Sequence, residues 1–106
     1  MKRVLILSRW RLWGRGIENL LCQEAGLQVV GCEIDLDKAL ERIRELQPDV
    51  LVLDSDDPAP EVLRILRQEV GTKIIGLNPE DNTMCIYRGE QREVRRIEDL
   101  VEAICL

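Results

Sequence analysis

A cluster of acids directly after a short aliphatic segment is the part of this sequence best suited to chemistry. Residues 48–60 read PDVLVLDSDDPAP, in which Asp54 closes the aliphatic segment and Asp56 and Asp57 follow it. Carboxylate oxygens can ligate a divalent cation or form an ion pair with a basic side chain. Asp54 is therefore the candidate reactive group, whereas Asp56 and Asp57 are more typical of loop and helix-capping residues.

Alternating strand and helix patterns surround this cluster. Short aliphatic runs predict four strands, at residues 3–8, 27–34, 49–54 and 72–78. Between these strands, apolar residues recur at helical spacing, which predicts three amphipathic helices. Because crossover connections are right-handed, this order of elements predicts a three-layer, doubly wound α/β fold with a parallel sheet between helices.

Three polar residues, Ser8, Asp54 and Asn78, stand where predicted strands end. Parallel α/β sheets bind ligands outside the carboxyl ends of their strands, at the point where the strand order reverses. We therefore expect these residues to share one edge of the sheet, and a binding site, if the chain has one, to lie there.

The alternation breaks after the fourth predicted strand. Only four residues, PEDN, separate it from the aliphatic run TMCIYR at 83–88, and four residues cannot form a crossover helix between parallel strands. Residues 83–96 instead suggest a C-terminal β-hairpin with Gly89-Glu90 as its turn and Cys85 opposite Val94, although the sequence leaves open whether 89–96 pair as a strand. A last helix follows, with one apolar face made of Ile97, Leu100, Val101 and Ile104.

Composition limits the classes of protein that the chain can belong to. Its 106 residues suit a single domain, 1–106, with no output domain attached. The formal net charge of -5 makes nucleic-acid binding an unfavoured function, since phosphate contacts need a basic surface. No signal peptide or membrane span is predicted, so a cytoplasmic protein is expected.

Cysteine usage agrees with a reducing compartment. The four cysteines form no CxxC pair and the chain has no His, which argues against a zinc site. Cys22, Cys32 and Cys85 fall inside apolar patterns, so we expect them to be small buried hydrophobic residues.

Residues 3–78 resemble the receiver domain of bacterial response regulators, in particular the branch that precedes LuxR-type DNA-binding domains. The segment WRLWGRGIENLLCQEAGLQVVGCEIDLDKALERIRELQPDVLVLDSDDP runs parallel to that branch without gaps, from its first helix to its phosphorylation loop. The resemblance implies a flavodoxin-like fold in which an aspartate accepts a phosphoryl group with the help of bound Mg²⁺. Here it also implies that the helix between the fourth and fifth strands is deleted.

Under this resemblance the phosphorylation loop is retained. The phosphoryl acceptor matches Asp54, the residue that lends a backbone carbonyl to the metal matches Asp56, and the loop proline matches Pro58.

The other family positions depart from the pattern. The acidic pair that ligates the metal falls at Ser8 and Arg9, so both carboxylates are replaced. The hydroxyl residue after the fourth strand falls at Asn78, and the lysine that ends the fifth strand is matched loosely by Arg88. We expect the Arg9 guanidinium to pair with Asp54 and to occupy the volume of a metal.

The sequence is therefore interpreted as a degenerate receiver, a pseudo-receiver, that is not an enzyme and needs no cofactor, Mg²⁺ included. It would act by binding a protein partner or a second copy of itself in a homodimer. Candidate interaction residues are Trp10, Tyr87 on a predicted sheet edge, and Arg92, which can also serve to protect that edge. The alternatives are a working phospho-receiver at Asp54, a small-ligand sensor at the strand ends, and a nucleic-acid accessory module.

Overall fold

The computed structural model describes residues 1–54, 59–69, 71–78 and 80–105. Strands and helices alternate through most of this chain. In order, the elements are β1 (Lys2–Leu7), α1 (Arg11–Cys22), β2 (Leu27–Glu33), α2 (Leu36–Leu46), β3 (Val50–Asp54), α3 (Ala59–Gln68), β4 (Lys73–Asn78), β5 (Thr83–Tyr87) and α4 (Ile97–Cys105).

The strands form one five-stranded sheet in the order β2-β1-β3-β4-β5, which confirms the predicted flavodoxin-like α/β fold. The first four strands are parallel, and β1 and β3 lie at the centre of that part of the sheet. Both central strands are short aliphatic runs buried on two faces, as parallel strands between helix layers must be.

Helices cover the two faces of the sheet unequally. A main core lies between the sheet and both α2 and α3, and its buried residues include Ala39, Leu40, Ile43, Val62 and Ile65. The opposite face has a smaller cluster of three buried residues, Val4, Ile6 and Val52, against which Ile17 and Leu21 of α1 pack. One face is therefore a full core layer, and the α1 face is covered only in part.

Local capping explains why α2 begins and ends where the sequence predicts. The Asp35 carboxylate accepts a hydrogen bond from the Asp37 backbone N–H at 3.3 Å, which satisfies one of the free donors at the helix start. At the other end Gln47 adopts a left-handed conformation (φ 49°), directly before Pro48.

The prediction of a hairpin within residues 83–96 is wrong, because β5 pairs with β4 and not with the residues that follow it. β5 pairs antiparallel with β4, from Ile74 opposite Tyr87 to Asn78 opposite Thr83, and residues 88–95 form no strand. The turn at Gly89-Glu90 and the Cys85–Val94 pair are therefore not formed. The hairpin is made by β4 and β5 because the four-residue connection permits only a reversal of direction.

Helix α4 forms where it is predicted, but no residue of it is buried. Its apolar residues Ile97, Leu100, Val101 and Ile104 are 66%, 47%, 52% and 72% exposed. In the described part of the chain, no helix has the length and apolar character needed to cross a membrane.

The expected burial of the cysteines is wrong for two of the three. Cys22 and Cys85 are exposed and Cys32 is half-buried. Cys22 ends α1 and Cys85 lies on the edge strand β5. Both residues fit an apolar pattern in the sequence, but no neighbouring element of the described chain covers them.

The main core sets a first prediction. Ile43 is 1% exposed, so Ile43→Ala removes buried methyl groups and leaves a cavity, and the free energy of unfolding should fall by roughly 2–5 kcal/mol. Urea denaturation measures this change. Leu12→Ala is the control, because Leu12 is 88% exposed and its truncation should change stability by no more than about 0.5 kcal/mol. Equal losses in the two variants would contradict the assignment of this core.

Candidate functional site

Asp54 ends β3 at the carboxyl edge of the sheet and is only 1% exposed. The neighbouring strand β1 delivers Ser8 to the same edge, where the Ser8 side chain is also 1% exposed. The Ser8 hydroxyl lies 2.6 Å from Asp54 Oδ2, and the Arg9 backbone N–H donates to Asp54 Oδ1 at 3.3 Å. Two neutral groups of one short segment therefore hold the carboxyl group of Asp54.

Ser8 is shared between two acceptors. Its Oγ lies 2.6 Å from Asp54 Oδ2 and 2.9 Å from the Trp10 carbonyl oxygen, and it accepts a hydrogen bond from the Trp10 N–H at 3.3 Å. A hydroxyl has one proton and can donate to one of these oxygens at a time. When Asp54 is protonated, its own O–H can donate to Ser8 Oγ, and the Ser8 hydroxyl is then free to donate to Trp10.

Burial governs the protonation of Asp54. Burial raises the pKa of this carboxyl group above its ordinary value, and the hydrogen bonds from Ser8 and the Arg9 N–H offset the rise only in part. The protonated form is therefore favoured more strongly at this edge than in an exposed aspartate.

The predicted ion pair between Arg9 and Asp54 is wrong. The Arg9 guanidinium instead pairs with Glu61, a residue of the first turn of α3, while only its backbone N–H reaches Asp54. The Arg9 side chain is 66% exposed, which lets the long side chain reach outward over α3 and leaves its charged group near water. Arg9 therefore tethers α3 to the loop after β1 and does not fill the volume beside the carboxylate.

Asn78 reaches the predicted edge but contacts a different partner. Leu77 lies beside Asp54 in the sheet, so Asn78 is the next residue outward. Its Oδ1 accepts from the Glu80 N–H at 3.0 Å, and its Nδ2 lies 3.4 Å from Asp81 Oδ2. Asn78 thus stabilises the β4–β5 turn. The predicted site residue Asp56 lies outside the described residues.

Arg88 lies at the opposite end of the sheet, so its match to the family lysine is wrong. Because β5 runs antiparallel, its last residue Tyr87 is opposite Ile74, near the start of β4. The β5 residue nearest to the site edge is Thr83, opposite Asn78. Thr83 itself hydrogen bonds to Asp81 within the turn.

The three predicted interaction residues lie in different environments. Trp10 is 47% exposed and directly precedes α1, beside Ser8. Tyr87 lies on the edge strand β5, as predicted, but its side chain is half-buried and packs against the main core. Arg92 is exposed and pairs with Glu90 at 2.7 Å outside any strand, so it protects no edge. Trp10 is the one of the three that lies at the site.

Two residues of the site were not found from the sequence. Glu61 is recognisable only as an acid in the first turn of a helix, and nothing in the sequence pairs it with Arg9. Gly14 is buried where α1 crosses the end of β1, and an added Cβ would lie 3.0 Å from Ser8 Cβ and 3.2 Å from Cys32 Sγ. The missing side chain lets the helix approach Ser8 closely.

The raised pKa of Asp54 predicts a pH-dependent effect of Asp54→Asn. A group whose pKa is raised in the folded state contributes most to stability when it is protonated, and that contribution is lost as pH rises through the folded-state pKa. Asp54→Asn should therefore be more stable than the wild-type chain at pH 7, and this advantage should shrink as the pH falls towards the unfolded value of about 4.

Urea unfolding across this pH range measures the difference. Glu24→Gln, which removes an exposed carboxylate in the turn after α1, is the control. An Asp54→Asn variant that is less stable than the wild-type chain at pH 7 would contradict the prediction.

The close approach of α1 to Ser8 predicts opposite effects of alanine at two glycines of that helix. Gly16→Ala has no atom within 4 Å of the added Cβ and should raise the free energy of unfolding by about 1 kcal/mol through helix propensity. Gly14→Ala crowds Ser8 and should lower it by roughly 1–3 kcal/mol. Thermal unfolding of both variants provides the comparison, and stabilisation by Gly14→Ala would rule out the close contact.

Comparison with known proteins places this geometry in a family. No protein-family model matches the chain. It is 33% identical over 81 residues to the response regulator GacA of Pseudomonas viridiflava, and 32% identical over 69 residues to a protein-glutamate methylesterase/protein-glutamine glutaminase of Methanospirillum hungatei. These matches cover 73% and 65% of the chain but only 38% and 20% of the two relatives, so the chain corresponds to a part of each.

A solved structure agrees with these matches. The signal receiver domain of the putative response regulator NarL from Mycobacterium tuberculosis aligns with a TM-score of 0.64 at 27% identity. The alignment covers 73% of this chain and 65% of that one. The sheet order, the position of Asp54 at the end of β3 and these matches agree, and the chain belongs to the receiver-domain family of response regulators.

Proposed function

We propose that this receiver domain is a pseudo-receiver, a signalling module that works by binding another protein and does not depend on phosphorylation of Asp54. On this proposal the domain is not an enzyme and its role is carried by its surfaces. The proposal extends to a reducing, cytoplasmic setting, which suits the four free cysteines.

The observation that carries the proposal is the environment of the Asp54 carboxyl group. Phosphoryl transfer to a carboxylate needs an ionised nucleophile and cations that neutralise the phosphoryl oxygens. Asp54 is 1% exposed, its pKa is raised by burial, and its oxygens are held by a hydroxyl and a backbone N–H. These features favour a structural carboxyl group over a reactive one.

The donors that the described residues place around Asp54 do not suit Mg²⁺, which prefers an octahedral shell of oxygens that usually includes carboxylates. At this edge the described residues offer the Asp54 carboxyl group, which already accepts hydrogen bonds, and the Ser8 hydroxyl. The second acid near this edge in the described chain, Glu61, is engaged by Arg9. We therefore derive no phosphoryl-transfer step for this domain.

The distribution of exposed groups favours binding through protein contacts. Exposed large apolar residues are concentrated on β5 and α4, where they include Met84, Ile86, Leu100 and Ile104. Patches of this kind are typical of protein interaction sites. The net charge of -5 gives no support to a nucleic-acid partner.

A fluorescence titration tests the proposal. Trp10 lies beside Ser8 and Asp54, so its emission should report a change at this edge of the sheet. On adding Mg²⁺ and then trifluoroberyllate, a phosphoryl mimic, we expect the wild-type chain and Asp54→Asn to give the same flat response. A saturable change in the wild-type chain that is absent from Asp54→Asn would overturn the proposal and indicate a working phospho-receiver.

A gain-of-function variant establishes that the assay can detect a metal site. Ser8→Asp combined with Arg9→Asp supplies two carboxylates beside Asp54, and this double variant should show a saturable response to Mg²⁺. Adding Asp54→Asn to the pair should weaken that response. Circular dichroism checks that each variant is folded before its titration is interpreted.

A further inference from the structure

Part of one face of the sheet, from the buried Val52 outward across β4 and β5, is left uncovered by the helices of the described chain. On the α1 side, Val52 of β3 lies beside Ile75 of β4, and Ile75 lies opposite Ile86 of β5. Leu77 lies opposite Met84 on the same side. Met84 and Ile86 are 59% and 52% exposed. We call these five residues the open face.

The open face continues into a groove beside α1. A cavity of about 760 Å³ is lined by Val52 and Ile75 of the open face and by Leu21 of α1. Its walls thus come from a sheet and a helix that leave a gap, into which a further amphipathic helix would fit side by side with α1.

Helix α4 has the complementary shape and chemistry. Its apolar residues follow the spacing i, i+3, i+4 and i+7, which forms one stripe along a helix, and they are Ile97, Leu100, Val101 and Ile104. All four are at least 47% exposed. A stripe of this kind is stable in water only when it packs against another apolar surface.

Charges on the two surfaces also match. The described residues of α4 include no basic side chain but do include three acids, Glu98, Asp99 and Glu102. The groove is bordered by Lys2, Lys73 and Arg88, and none of these takes part in an ion pair within the described chain.

The acids at the groove are already engaged. Asp49 accepts a hydrogen bond from the Arg3 N–H at 2.8 Å, and Glu69 pairs with Arg44 at 3.2 Å. Asp49 keeps its negative charge and Glu69 is neutralised by Arg44, so the three cations leave the groove with a net positive charge towards an incoming acidic helix.

We propose that the open face and its groove bind α4 of a second copy of this chain, so that two chains exchange their last helices. Each chain carries both the helix and its receptor, so a two-fold dimer satisfies both contacts at once. In this structure no residue of α4 is buried, so its apolar stripe is left uncovered by its own sheet, as exchange requires. This inference rests on the proposed function, which is the binding of a protein partner, and it identifies that partner as a second copy of the chain.

The direction of β5 favours this arrangement. Its last residue, Tyr87, lies at the amino end of the parallel strands, so the segment 88–96 leaves the sheet at the border of the groove where Arg88 lies. Nine residues can extend to roughly 30 Å, enough to carry α4 across to a neighbouring molecule.

The test begins with the mass of the wild-type chain in solution. Size-exclusion chromatography with light scattering across a concentration series should give a dimer of twice the 12.2 kDa chain mass. A monomer at every concentration, both without and with the phosphoryl mimic described below, would overturn the inference, because it would mean that α4 docks on its own chain or on nothing.

Two charge variants identify the surfaces in contact. Leu100→Glu on α4 and Ile86→Glu on the open face should each weaken self-association by at least about tenfold. Leu63→Glu on α3 is the matched control, since Leu63 is 56% exposed but lies on neither surface, and it should remain dimeric. If Leu100→Glu and Ile86→Glu stay as dimeric as the control, the dimer uses another surface and the inference fails.

Mixing the two variants adds a test of exchange. The Ile86→Glu chain keeps an intact α4 and the Leu100→Glu chain keeps an intact open face, so one contact can form between them. Native mass spectrometry of differently tagged chains should detect a heterodimer in the mixture at concentrations at which neither variant alone forms a homodimer. Absence of this heterodimer, when the wild-type chain is a dimer, would overturn the exchange.

A last arm separates this inference from the proposed function. The chromatography is repeated with Mg²⁺ and trifluoroberyllate. A dimer that the mimic does not change supports both the inference and the proposed function. A dimer that forms only with the mimic and is lost in both charge variants supports the contact between α4 and the open face, but overturns the proposal that the domain works without phosphorylation. A monomer in both conditions overturns the inference and leaves the proposed function standing.

Discussion

The length of the connection between β4 and β5 determines much of this structure. Four residues cannot carry the chain back across the sheet, so β5 must run antiparallel to β4. That reversal moves Arg88 to the amino end of the parallel strands and brings Thr83 to the site edge. It also starts the segment that leads to α4 at the far end of the sheet. The short connection thus determines where β5 and the segment after it lie.

The edge that carries Asp54 is organised by short hydrogen bonds within the chain. Ser8 and the backbone of Arg9 come from one loop, and together they hold a buried carboxyl group that a charged partner does not reach directly. The ion pair from Arg9 to Glu61 joins a guanidinium that is 66% exposed to a carboxylate that is 11% exposed, so it fastens α3 to this loop at the margin of the site. Packing and hydrogen bonding therefore hold Asp54 at this edge.

The parallel part of the fold could be predicted from the sequence because its signals are local. Aliphatic runs and helical periodicity located all four parallel strands and the helices between them, whereas the flavodoxin-like order of the strands was implied only by the family resemblance. The position of Ser8, Asp54 and Asn78 along one edge followed from the rule that parallel strands end together.

Side-chain partners could not be predicted in the same way. Arg9 has two acids near it, Asp54 and Glu61. Its guanidinium pairs with Glu61 because of where α3 begins relative to the loop after β1, which the sequence does not reveal. The partner of β5 was predicted wrongly because a plausible turn at Gly89-Glu90 competed with a shorter connection to β4. The exposed stripe of α4 was recognised, but periodicity does not say which surface a helix covers.

The β4–β5 pair also has a consequence for how the sheet assembles. Each parallel pair closes a loop that contains at least one whole helix, whereas β4 and β5 are joined by four residues. Loop-closure entropy rises with loop length, so this pair has the lowest entropic cost of any in the sheet. Domains rich in local contacts fold faster than those that depend on distant ones. The antiparallel edge of the sheet is thus the part that can form with least help from the rest of the chain.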